Sequence, residues 1–243
     1  MRKLTLATTA LLLFAGARVP ARAQYSTAPV PSWHDYGVMR QQTLNQWSTR
    51  EKLKEYRRRQ AANRATPSKG SAGGGGTTFR EVAPSIMPRQ LAQEMARTAA
   101  ERQKLERVFS DLLENYRNNL RQSGAPLNDV ARAASFLIAS SYMVYFDTKP
   151  MSDAQYLALR RQMHEVFAGD AQFQRLPDRD KQKMFEGYGI TAAWIDIGYQ
   201  MVKRDGDREG MTQWREMARR NLENMLGASP EQVRFTDAGV EYK

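Results

Sequence analysis

From Pro88 onward the apolar residues recur three and four positions apart, the spacing that gives a helix one buried face. Leu105, Val108, Phe109, Leu112, Leu113, Tyr116 and Leu120 form one such stripe, with Gly124 just after its end. That pattern predicts an amphipathic helix on the outside of a bundle. A second helix is predicted from the capping residue Asn128 to about Phe146, and it is apolar on nearly every face, as a central helix would be. Ser152 is placed to cap a third helix with the stripe Tyr156, Leu159, Met163, Val166 and Phe167, closed by Gly169. Pro177 opens a fourth, reaching about Arg204, whose middle (Ile190 to Ile197, with Trp194) again reads as buried. Its Gly187, Gly189 and Gly198 would admit close neighbours. The last long helix carries Trp214, Met217, Ala218, Leu222, Met225 and Leu226, stops at Gly227 and leaves a short tail. No alternating strand pattern stands out. The expectation is an all-α domain, a single helical bundle of about five main helices.

The first 90 residues follow other rules. Arg2 and Lys3, the apolar run from Leu4 to Ala17 and the small-x-small sequence Ala21-Arg22-Ala23 have the layout of a secretory signal, predicted to be cut after Ala23. The run is shorter than a spanning helix needs, and no later segment is long and apolar enough either, so no transmembrane segment is expected in the mature chain. Between Gln60 and Thr78 there is no Val, Ile, Leu, Met or aromatic residue, while Pro67 and the run Gly73 to Gly76 fall within it. Such a stretch has little to bury against its ordering entropy and reads as a flexible linker. The predicted organisation is a signal peptide over 1–23, a basic Gly-rich arm over 24–87 and a helical domain over 88–243.

Charge sharpens this division. Residues 1–23 carry four Lys/Arg and no acid, residues 24–90 carry eleven against four, and residues 91–243 carry 22 of each, so the whole net charge of +11 lies before residue 91. If residues 43–64 were helical, Arg50, Lys54, Arg57 and Arg58 would share a face, with Trp47 and Tyr56 nearby. That face could dock on an anionic surface: lipid, lipopolysaccharide or nucleic acid. The same residues would also be at home in a solvated chain.

Candidate chemistry is sparse. With no cysteine there is no disulfide, thiolate ligand or thiol nucleophile. The two histidines, His34 and His164, stand in no ligand spacing, and the common serine-nucleophile signatures are missing. Gly187-Tyr188-Gly189-Ile190-Thr191-Ala192 matches a dinucleotide fingerprint as a string but lies inside a helix, where that motif cannot work. Asp196, on an otherwise apolar helix, must be paired, hydrogen-bonded or protonated. Together with Glu186 it is the residue a hydrolase reading would use.

One string is sharper. Residues 205–216 place Asp205, Asp207, Glu209 and Glu216 at positions 1, 3, 5 and 12 of a twelve-residue loop with Gly210 at position 6, the logic of an EF-hand calcium site. Position 5 is the longer Glu, Thr212 stands where an aliphatic residue is usual, and no sister loop occurs. The same acids would equally suit a helix-to-helix turn, where they meet the next helix's positive N-terminus without any metal.

Asn128-Asp129-Val130-Ala131, Phe136-Leu137, Tyr142, Val144-Tyr145, Lys181-Gln182, Gly189 and Phe235-Thr236-Asp237-Ala238-Gly239 together resemble an exported bacterial family, domain of unknown function 6683, from about Pro88 to the end. The resemblance implies an exported helical domain, with the arm as a variable addition, and transfers no activity, cofactor or catalytic residue. The functional expectation is thus an exported protein, periplasmic or secreted, acting as a non-enzymatic interaction module for a macromolecular partner. A calcium-binding protein using the 205–216 loop is the alternative.

Overall fold

A computed structural model describes residues 76–82 and 84–243. The predicted signal peptide, His34 and the predicted basic face at Arg50, Lys54, Arg57 and Arg58 lie outside the described residues. The elements are helices α1 (Met87–Met95), α2 (Ala99–Gln122), α3 (Val130–Phe146), α4 (Asp153–Ala168), α5 (Ala171–Gln174), α6 (Asp178–Arg204) and α7 (Arg208–Leu226). A 3₁₀ turn (Pro230–Gln232) and strands β1 (Val233–Thr236) and β2 (Gly239–Tyr242) follow. The domain is all-α apart from this hairpin. Among the described residues no helix is long and apolar enough to cross a membrane.

Helix α3 is central, as its pattern predicts, and it packs on α4, α6 and α7. Small residues make this possible: Ala133, Ala134, Ser135, Ala139, Ser140 and Ser141 are all buried along it, so its neighbours can close in around Leu137 and Ile138. Asp129 caps its start, accepting from the Ala131 and Arg132 amides, while Asn128 turns aside to the Phe79 carbonyl. On α4, Ser152 and Gln155 close a full capping box. Two of the three glycines of α6 are used for close approach: a Cβ at Gly189 would sit 2.4 Å from the Tyr116 ring and one at Gly198 2.0 Å from the Trp214 ring, whereas one at Gly187 would meet only the Met87 methyl group at 3.7 Å.

Two elements depart from expectation. The short tail is a hairpin with Val233 opposite Tyr242 and Phe235 opposite Val240. Val233, Phe235 and Val240 bury one face of it. Gln162 on α4 exchanges hydrogen bonds with both backbone groups of Val240, and Gln155 donates to the Phe235 carbonyl. Four-residue strands are too short for an alternation to show. Residues before Pro88 also pack on the bundle: Thr77, Phe79 and Met87 are buried, and α1 begins at Met87.

Candidate functional site

The twelve-residue loop is not formed. Asp205 ends α6, Gly206 turns in the left-handed region at φ 71, and Asp207 caps α7 by accepting from the Gly210 amide, so the chain is helical from Arg208. Asp205 pairs with Arg204, and Glu209 accepts from Gln213. Glu216 lies more than two turns into α7, clasped by Arg219 and Arg220 at 2.7–2.8 Å. The hydrogen bond from Arg219 and the neighbouring guanidiniums hold its carboxyl down at about 2. The structure thus spreads the four predicted ligands from the end of α6 to the third turn of α7 rather than gathering them. Among the described residues no group of three or more His, Asp or Glu is placed to hold a metal. In this arrangement Asp207 starts a helix where a calcium loop would continue.

The acids of the hydrolase reading are placed differently from one another. Glu186 is fully buried and fully engaged. One oxygen accepts from the Ile86 and Met87 amides at 2.7 and 2.9 Å, and the other accepts from Gln182 at 2.9 Å and Arg117 at 3.3 Å. It supplies the N-terminal cap that α1 lacks in its own sequence. Asp196 is buried on α6, where loss of solvent pushes its carboxyl upward and a hydrogen bond from Gln200 acts the other way. His164 is exposed on α4.

Glu186 belongs to a longer anchorage, which ties the described residues before α1 to the bundle. Gln182 accepts from the Val82 amide, and Arg117 reaches from α2 to Ser85, Glu81 and Glu186. A second anchor lies at the start of α3. The Val130 amide donates to the Thr77 carbonyl, the Phe79 amide donates to the Asn128 carbonyl, and the Thr77 hydroxyl donates to Asp129 at 2.8 Å. Phe79 then packs on Phe185 at 5.6 Å between centroids. The chain enters the domain along a path fixed at both ends, beginning at Gly76 beside Gln174.

The corner around Asp129 holds a cluster that sequence reading missed. Tyr116 of α2 stacks on Phe136 of α3, centroids 5.1 Å apart and planes 6° apart, with only 3% of the residue exposed. Its hydroxyl is buried and has no hydrogen-bond partner. One turn before Phe136, half-buried Arg132 has a buried Nε, also without a partner. Tyr156 and Arg160, both half-buried, face this corner from α4, and among the described residues neither Arg132 nor Arg160 makes an ion pair. Burial pushes the Tyr116 phenol well above its ordinary value, with Tyr156 and Asp129 acting in the same direction and Arg132 and Arg160 against it. Burial, then the like charge of Arg160, pulls Arg132 down. A buried donor left unmatched costs about 1–3 kcal/mol, so this corner is held at the expense of stability. The spacing of Tyr156 and Arg160 at i and i+4 beside Asn128-Asp129 was the available signal, but it needs three helices to become a site.

Elsewhere, an open polar groove of about 480 Å³ between α1 and α2 is lined by Arg89, Gln93, Arg102, Gln103 and Glu106. The residues that carry the family resemblance lie at the Asp129 corner, along α3, at Gln182 and Gly189 of α6 and in the hairpin turn. No curated protein and no solved structure matches the chain. The model of a family of unknown function (DUF6683) matches residues 2–243, so the likeness extends through the arm that the sequence motifs had left out as an addition. The chain belongs to the family of unknown function DUF6683.

Proposed function

We propose that this chain is an exported, non-enzymatic interaction module whose basic N-terminal arm docks it on an anionic surface. The observation that carries the reading is the anchored root. The net charge precedes residue 91, the domain beyond is balanced, and the segment joining them is locked to α3 and α6 through Asn128, Asp129, Gln182 and Glu186. A fixed root gives a charged arm a defined point of departure, so attraction at the arm orients the domain behind it. The leader-like pattern over residues 1–23 supports export, to periplasm or medium. The engaged state of Glu186 supports a structural use for the most deeply buried acid.

The test starts from the chain expressed with its own leader in a bacterial host. Recovery outside the cytoplasm with an intact mass matching residues 24–243 is expected. The processed protein should sediment with vesicles of anionic lipid and not with neutral ones, and raised salt should release it. Changing Arg50, Lys54, Arg57 and Arg58 together to Gln should abolish the sedimentation. Full-length protein retained in the cytoplasm overturns the export reading, and sedimentation indifferent to salt or to the four substitutions overturns the docking.

A further inference from the structure

We propose that Tyr116, Arg132, Tyr156 and Arg160 form a binding site for the carboxylate of a small organic acid carrying an apolar group. The site is separate from the arm and would stand if the arm's docking failed. Its first warrant is the pair of buried donors that nothing in the domain satisfies, the Tyr116 hydroxyl and the Arg132 Nε. Two such donors from different helices, held in one corner by the Tyr116–Phe136 stack, call for an acceptor from outside.

Charge selects the acceptor. Arg132 and Arg160 contribute two positive charges with no ion-paired acid among the described residues. The acid acting on Arg132 from the same corner is Asp129, one of whose oxygens is already taken by the Ala131 and Arg132 amides and the Thr77 hydroxyl. Two cations against one anion leave a single positive charge, which a monocarboxylate neutralises and a phosphate dianion would overshoot. Guanidinium forks match a carboxylate's two oxygens, and a phenol can add a third donor. The walls select the rest of the ligand. The Tyr116 and Phe136 rings lie stacked, and Arg132, Arg160 and Tyr156 are each partly exposed to solvent.

The test uses benzoate and inorganic phosphate with the processed full chain. Benzoate on the order of 10 mM should raise Tm by roughly 3 °C in a saturable way and shift the Arg132 Nε–H resonance, whereas phosphate should do neither. Arg160→Gln, at a half-exposed position, should weaken benzoate binding at least about tenfold. Tyr116→Phe should raise the Tm of the ligand-free protein and yet weaken benzoate binding, a combination that a purely structural tyrosine would not produce. Absence of a saturable benzoate effect, binding of phosphate in its place, or unchanged benzoate affinity in both variants would overturn the proposal.

Discussion

The two ends of helix α3 treat charge in opposite ways. At its C-terminal end Asp147 adopts a left-handed conformation, φ 51, that few residues other than glycine favour. In that position its carboxylate meets Lys203 at 2.5 Å and Arg215 at 3.3 Å, and both cations lie over the Tyr199 ring. The hydrogen bond from Lys203 holds Asp147 below the usual carboxylate range. At the N-terminal end two arginines and a buried phenol find no such partner among the described residues. One end spends its charged groups on the fold, while the other keeps donors unmatched that a ligand could use. Stability and function are divided along a single helix.

The closed networks are where substitution should cost most. Glu186→Ala removes the acceptor of two backbone amides, a Gln and an Arg in a fully buried position, so loss of about 3–5 kcal/mol is expected from the urea midpoint. A cost under about 1 kcal/mol would mean that the arm's root is not fixed by this residue. Next comes Gly189→Ala, which drives a methyl group into the Tyr116 ring and should cost about 1–3 kcal/mol. Gly187→Ala, two residues away, meets only the Met87 methyl at 3.7 Å. It should be neutral or gain up to about 1 kcal/mol from helix propensity. Equal effects at the two glycines would show that Tyr116 is not held where the open corner needs it.

Where the fold was legible, local chemistry sufficed. The α2 stripe, the Ser152 cap, the Pro177 start of α6 and the Gly227 stop of α7 each depend on residues within one or two turns, and all stand as read. Helix α1 was hidden because its cap, Glu186, is 100 residues from Ile86 along the chain. The hairpin was hidden because its strands bury only three side chains between them and lean on Gln155 and Gln162 of another helix. The Asp129 corner was hidden for a related reason, since its four side chains come from three helices and none carries a motif. The calcium string was ambiguous in the opposite sense. Its spacing suits a loop, but Asp207 caps a helix here, and helical geometry carries Glu216 about 12 Å of axial rise beyond the helix start at Arg208.

The smallest effect concerns Glu216, a closed cluster on the surface of α7. Its carboxyl is lowered from the ordinary 4.5 to about 2 by Arg219 and then Arg220. A carboxylate with a depressed folded value adds stability that is complete above its unfolded value and is lost as pH falls through the folded one. The window is therefore pH 4.5 down to about 2. Because the side chain is 40% exposed, water and salt screen the pair, and surface pairs of this kind contribute about 0.2–1 kcal/mol at neutral pH. Glu216→Gln should lower the neutral-pH stability by no more than that and flatten its decline below pH 4.5, with the difference shrinking in high salt. Thermal melts at pH 7, 4 and 2.5 would measure it. Millimolar calcium should leave Tm unchanged in both proteins, since a metal at Glu216 would have to displace two guanidiniums; a rise in the parent lost in the variant would mean that α7 unwinds at its start to build a loop.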